Sequence, residues 1–473
     1  MSLVQSLSYF KAEIALLIGA FVVLFMDFAV RDKKAIGITA LVALGVSALF
    51  LRMPSEPLPL FNGFFMLDPL THFFRITALA ITAVGVLISL RYEDLPKPYL
   101  AEYYALLLFS GFGLILMAAA NNLLMIFLAI ESVSLVSYLL TGFLKSDKKS
   151  KEASLKYLLF GSVASGLMLY GMSILYGLSG SIELDLIRGR IANPAYSGFV
   201  FVAMMLVLGG IGFKISMAPF HLWAPDVYEG APTPFTAFLT VGPKAAGFAL
   251  LIRVLSTSFP DFFASWTQVI LLLSVITMTL GNVIAIAQDN IKRLLAYSSI
   301  AQAGYILMGI AVFTDTGLQA VLLYLAAYAF TNLGAFAVVL AVTQDSGSDQ
   351  LSSFAGLGKR SPMLAASMTI FLLSLAGIPP LAGFMGKFMV FAGTIQKGYI
   401  VLAVAAAINS AIAAFYYFKV VRQMYLVPAE NEKPLAQPLS LSFALYLMLA
   451  GTIALGLVPM PLLSVLHSII PLS

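Results

Sequence analysis

LLMIFLAIESVSLVSYLL, Leu123 to Leu140, is an apolar run of eighteen residues with one ionisable side chain, Glu131. Eighteen helical residues rise about 27 Å, close to the roughly 30 Å hydrocarbon core of a bilayer. The run does not alternate between apolar and polar, so it is not a half-wet strand. The rest of the chain repeats this pattern. Of its 473 residues, 60% are hydrophobic and 10% charged, against about 25% charged in an ordinary soluble domain. Mean hydropathy is +0.97. So few charges cannot clothe a soluble protein of this length, which excludes a soluble enzyme, a disordered chain and a nucleic-acid binder. The continuous runs speak against a β-barrel. The fold class is an all-α polytopic membrane protein.

A 19-residue window finds about fourteen spans: 12–30, 35–51, 69–91, 101–120, 122–143, 155–179, 198–221, 232–257, 266–287, 293–313, 316–343, 361–396, 398–424 and 438–465. The loops between them are short and leave no room for a soluble domain. The first span is not read as a cleaved signal peptide, because it has no small-residue cleavage site and RDKK (Arg31 to Lys34) follows it directly. With that basic cluster held in the cytoplasm, the inner loops collect 17 Lys and Arg. The outer side collects seven: Lys11, Arg52, Arg75, Arg188, Arg190, Arg253 and Lys397. This asymmetry puts both termini outside. There is no cysteine, and His72, His221 and His467 lie far apart. Thiolate chemistry, Cys-held iron–sulfur clusters and paired bis-His haems therefore have no ligands here, and no redox centre is expected in the chain.

Lys214, Lys244, Lys387 and Glu131 each stand inside an apolar span, and Asp27 stands near the inner end of the first. A charge at mid-bilayer costs about 2.5–3.5 kcal/mol on the insertion scale. The bland reading is static salt bridges between helices. Three ammonium groups cannot all be paired by one buried carboxylate, so at least one must be neutral or hydrated by internal water. A lysine that can exist in either charge state is what a proton relay uses. Lys214 lies in GGIGFKISMAPFHLWAPD, with Pro219 five residues on. Lys387 lies in LAGIPPLAGFMGKFMVF, among Gly377, Pro379, Pro380, Gly383 and Gly386. Lys244 follows Pro243. Glycine and proline at mid-span predict broken helices, which mark ion pathways in transporters. The broken spans are the seventh and the twelfth, so spans 4–8 and 9–13 form two five-helix repeats, inverted because five is odd. The predicted segments are 1–100, an N-terminal three-helix part; 101–257, the first repeat; 258–424, the second; and 425–473, a C-terminal helix.

GFKISMAPFHLWAPDVYEGAPTPFTAFL (Gly212 to Leu239), VGPKAAGFALL (Val241 to Leu251), NIKRLLAYSSIAQAGYILMG (Asn290 to Gly309) and LLSLAGIPPLAGFMGKF (Leu372 to Phe388) resemble the antiporter-like subunits of respiratory complex I. The resemblance runs over nearly the whole chain. PDVYEGAPTP and the length fit one subunit class in particular. A second class is longer, with a lateral C-terminal helix, and a third usually has glutamate where this chain has Lys387. The resemblance implies a proton-translocating subunit of NADH:quinone oxidoreductase, a translocase of the bacterial inner membrane. Its partners would be the other membrane subunits, related antiporter-like ones included, and the lipid bilayer. NAD, FMN, iron–sulfur clusters and quinone would belong to other subunits. It also implies that Glu131 tunes Lys214, that Lys244 links two half-channels, and that Lys387 serves the outward half, in one polar chain at mid-depth. A cation/proton antiporter subunit without redox partners is the alternative.

His221, seven residues after Lys214, is read with equal weight as a proton donor from the cytoplasm and as an interfacial histidine at a helix end. Tyr297, Ser298, Ser299 and Gln302 are read as channel-water ligands or as glue between helices, the latter for at least half of them. Asp226 and Glu229 are read as structural or interfacial. KSDKKSKEASLK (Lys145 to Lys156) is read as a basic inner loop on lipid headgroups.

Overall fold

The computed structural model describes residues 2–30, 33–429, 433–435 and 437–469. Arg31 of the basic cluster and the C-terminal Ser473 lie outside the described residues. The helices in chain order are α1 (Leu3–Tyr9), α2 (Lys11–Ala29), α3 (Lys34–Leu49), α4 (Pro69–Ser89), α5 (Leu100–Ala119), α6 (Leu123–Thr141) and α7 (Lys148–Ser179). Next come α8 (Leu184–Ile191), α9 (Ser197–Ile215), α10 (Ala224–Gly230), α11 (Thr233–Ser258), α12 (Phe263–Ile286), α13 (Ile291–Val312) and α14 (Asp315–Ser346). The chain continues with α15 (Leu357–Arg360), α16 (Pro362–Ala376), α17 (Ala382–Gln396), α18 (Ile400–Leu426), α19 (Leu439–Leu457) and α20 (Met460–His467). One hairpin, β1 (Leu58–Leu60) with β2 (Phe65–Leu67), closes antiparallel between α3 and α4. Twelve helical stretches among the described residues are long and apolar enough to cross a membrane; α3 and α16 are shorter apolar helices.

The structure departs from the expected spans at four places. The span read as 198–221 stops being helical at Ile215, the span read as 361–396 is two helices, α16 and α17, and the span read as 438–465 is likewise two, α19 and α20. The basic stretch read as a loop turns helical at Lys148: Asp147 caps α7 by accepting from Lys149 N at 2.9 Å, so most of those lysines ride on the first two turns. Hydropathy sees only apolar length, and it misses both a backbone break inside an apolar run and a charged helix end beyond one.

The chain folds as two compact units. The first takes Met1–Val86, Leu95–Ser216 and Gly242–Thr267; the second takes Leu87–Asp94, Met217–Val241 and Gln268–Ser473. In the first unit α2 packs on α3 and α5, α5 on α6, and α7 on α9. Two ion pairs fix α4 there. Arg75 on α4 meets Glu13 on α2 at 2.7 Å, with both side chains almost wholly buried. Arg253 on α11 meets Asp68, just before α4, at 2.8 Å, and also donates to Thr71 Oγ1 and Ala118 O. Both arginines read from sequence as outer-side charges; they are interior charges with carboxylate partners. In the second unit α14 packs on α13, α16, α17 and α19.

The two units repeat a local motif. Asn122 caps α6 and Asn290 caps α13. Each following helix, α7 and α14, is 32 residues long and ends on a left-handed glycine, Gly180 or Gly347. Ser179-Gly180-Ser181 and Ser346-Gly347-Ser348 make the same set of side-chain to backbone bonds. Leu123 N then donates to Ile182 O in one unit, as Ile291 N does to Asp349 O in the other. The ninth residue is Glu131 in α6 and Ser299 in α13.

Candidate functional site

Lys214 stands in the last turn of α9, where the carbonyl ends of a helix favour a cation. The helix stops because Ser216 adopts φ +58°, a left-handed conformation that a non-glycine residue takes only at a cost of about 1–2 kcal/mol. Lys214 is 1% exposed, and its Nζ has no hydrogen-bond partner among the described residues. Its ammonium lies 5.8 Å from the Phe213 ring centre and 6.0 Å from that of Tyr157, at the outer limit of a cation–π contact. Tyr157 is held edge-on by Tyr138, with ring centres 4.9 Å apart.

Glu131 is partly buried on α6 and accepts a hydrogen bond from Ser165 on α7. Its charge acts on Lys214, yet no ion pair joins the two. The carboxylate and the lysine therefore share a region without forming a fixed bridge, which removes the static salt bridge as the reason for Lys214. Lys244 is 3% exposed on α11, where Pro243 sits inside a helix that continues without a break. Gly247, three residues further along α11, packs against the stretch holding Lys214. A Cβ added there would come within 2.7 Å of Ile215 and 3.4 Å of the Lys214 side chain. Residues three apart share a helix face, so Lys244 belongs to the face of α11 that meets Lys214.

Lys387 has a different setting, within the second unit. The chain between α16 and α17 is non-helical, and Gly377 ends α16 at φ +87°. Lys387, 5% exposed on α17, reaches back across this break. Its Nζ donates to Ala376 O and to Ser410 Oγ, each at 3.0 Å, and sits 4.4 Å over the Tyr305 ring. Three neutral groups thus surround the ammonium, one of them a carbonyl at a helix C-terminus. Gly377 is needed twice, for its backbone angle and for space, since a Cβ there would fall 2.7 Å from Lys387 Cδ. Tyr305 is steadied in turn by Asn282, which also bonds Tyr416 and Asn409.

The weaker candidates sort themselves. Ser298 bonds Tyr417, Ser299 bonds Tyr328, and Gln302 bonds Leu375 O, Tyr417 and Tyr324. All are buried bonds between helices. Tyr297 is only partly buried. Asp226 and Glu229 both grip Arg293, at 2.6 and 3.0 Å, and join α10 to α13. His221 is buried in the non-helical stretch between α9 and α10; it does not continue the helix of Lys214, as the seven-residue spacing suggested. Asp27 pairs with Lys33. Sequence reading missed Ser165, Ser410 and Tyr305, which touch the site, and the Glu13–Arg75 pair. A lone serine in INSAIAA (Ile408 to Ala414) was the available signal for Ser410. No group of three His, Cys, Asp or Glu side chains among the described residues could hold a metal.

A helical membrane bundle with two interrupted helices, each carrying a buried lysine, defines the class of antiporter-like membrane subunits. The sequence family described as NADH:quinone oxidoreductase/Mrp antiporter, transmembrane, matches residues 120–413, and the chain belongs to that family. It is 44% identical over 458 residues to NADH-quinone oxidoreductase subunit N 2 of Sorangium cellulosum, covering 91% of this chain and 90% of the relative. A chain of respiratory complex I from Thermus thermophilus, solved with bound aureothin, superposes with TM-score 0.82 at 32% identity over 97% of this chain and 99% of that one. A chain of the Mrp complex from a Dietzia species superposes with TM-score 0.83 at 21% identity, over 99% and 97% of the two chains, and shares the fold.

Proposed function

We propose that this chain is the subunit N-type membrane subunit of a bacterial NADH:quinone oxidoreductase. It moves protons while electrons pass from NADH through FMN and iron–sulfur clusters to quinone in other subunits. The relay consists of Glu131, Lys214, Lys244 and Lys387, with His221 supplying protons from the cytoplasm. The observation that carries this reading is Lys214: buried at a helix break, with no hydrogen bond and no ion pair among the described residues to fix its charge. Moving one charge against 100 mV costs about 2.3 kcal/mol, and a lysine free of a fixed partner can give up its proton without breaking a salt bridge.

In this reading the chain crosses the inner membrane fourteen times, with both termini outside and two inverted repeats over 101–257 and 258–424. The shared asparagine caps and Ser-Gly-Ser turns of the two units support the repeat. The 44% identity to a subunit N relative favours this function over a cation/proton antiporter, whose solved example is 21% identical. Purification of the native membrane complex separates the two. Flavin and iron–sulfur signals that co-purify in proportion to this chain support the proposal; a complex of antiporter subunits alone, with cation-dependent proton transport, overturns it.

A further inference from the structure

A groove of about 1000 Å³ runs along α18, walled on one side by Ile286 at the end of α12. It is lined by small residues, Ala411 and Ala414, and by bulky ones, Phe415 and Phe418. Phe415 is 64% exposed and Leu426, at the far end, 76%. Ala411, Phe415, Phe418 and Arg422 follow one another at intervals of three or four residues, so they lie on one helix face. The groove therefore begins apolar and carries two cations, Lys419 and Arg422, about one helical turn short of its far end.

Among the described residues the two cations at that end are partnered unequally. Lys419 pairs with Asp289 at 2.8 Å and also donates to Gln288 O. Arg422 is exposed and has no ion pair among the described residues. A guanidinium at the head of an apolar groove calls for an anion, and its planar fork matches two oxygens of a phosphate. From Ala411 to Arg422 the helix rises about 16 Å, close to half of the roughly 30 Å hydrocarbon core. That is the reach of one acyl chain below its headgroup.

We propose that this groove holds one anionic phospholipid, its phosphate on Arg422 and Lys419 and an acyl chain along Ala411, Ala414 and Phe418. A neighbouring protein helix is the competing occupant. The test uses the intact membrane complex, purified in mild detergent as wild type, Arg422→Glu and Ala414→Trp. Phospholipid per complex is counted by native mass spectrometry and lipid extraction. Thermal stability of the delipidated complex is then titrated with phosphatidylglycerol or phosphatidylcholine. The wild type should retain one anionic lipid that both variants lose, with all subunits still present. Phosphatidylglycerol should stabilise the wild type at concentrations at least fivefold lower than it stabilises Arg422→Glu, the equivalent of about 1 kcal/mol per basic residue. Phosphatidylcholine should not discriminate between them. Equal lipid counts and equal phosphatidylglycerol responses in wild type and Arg422→Glu would overturn the proposal. So would loss of a neighbouring subunit from Ala414→Trp with its lipid count unchanged.

Discussion

Gly377→Ala perturbs the Lys387 site without altering any charge. The new Cβ would stand 2.7 Å from Lys387 Cδ and 3.5 Å from Cε. Carbon atoms in good contact keep about 3.5–4.0 Å, so the lysine stem must retreat by roughly 0.8 Å or more. Its bonds to Ala376 O and Ser410 Oγ, both 3.0 Å, would then stretch past useful length. Each bond to a charged group contributes about 1.5–3 kcal/mol, and alanine at φ +87° adds strain of about 1–2 kcal/mol. If Lys387 serves the proposed relay, loss of one such bond should slow proton transfer about 10- to 100-fold, at 1.36 kcal/mol per factor of ten. Proteoliposomes carrying the assembled complex, with a pH-sensitive dye and NADH oxidation read together, give protons moved per NADH. Gly166→Ala is the control, because nothing lies within 4 Å of its added Cβ. Equal pumping by Gly377→Ala and Gly166→Ala in fully assembled complexes would refute the poised geometry at Lys387.

Three further outcomes follow from the same packing. Glu13→Gln leaves Arg75 buried without its anion and should cost about 3–5 kcal/mol, seen as a lowered unfolding temperature; adding Arg75→Met should recover most of the loss. Burial opposes the charge of Asp68, but Arg253 and Thr71 outweigh it and hold that carboxyl below the usual range. Stability from this pair should be fully present above the ordinary carboxylate value of about 3.9 and be lost as pH falls through the lower folded value; Asp68→Asn should flatten that acid limb in unfolding scans. A topology reporter within Lys145 to Lys156 should read cytoplasmic and one after Ser473 external, and inverted readings at both would reverse the orientation.

Apolar length and the rarity of charge make the helical membrane fold legible in the sequence. The glycine and proline clusters around Lys214 and Lys387 announce where the helices stop. What the sequence conceals depends on contacts between distant segments. Arg75 and Arg253 look like span-end charges until Glu13 and Asp68 are brought to them. Lys214 and Lys387 read as equivalent lysines at helix breaks, yet among the described residues one ammonium has no hydrogen-bond partner and the other has a carbonyl, a hydroxyl and a tyrosine face. Hydropathy and helix breaks alone suggest the repeat, although Ser179-Gly180-Ser181 and Ser346-Gly347-Ser348 are matching turns. Such short polar motifs vanish in a 19-residue hydropathy average.

In the proposed relay Lys214 must lose and regain a proton. Arginine keeps the positive charge and is effectively never deprotonated, so Lys214→Arg separates titration from charge. The direct measurement is proton pumping per NADH by reconstituted complexes carrying Lys214→Arg or Lys214→Ala, each checked for complete assembly. Both variants should assemble, and both should lose pumping by at least about tenfold, the 1.4 kcal/mol equivalent of one factor of ten. Wild-type pumping by the Lys214→Arg complex would contradict the relay and return Lys214 to a purely electrostatic role.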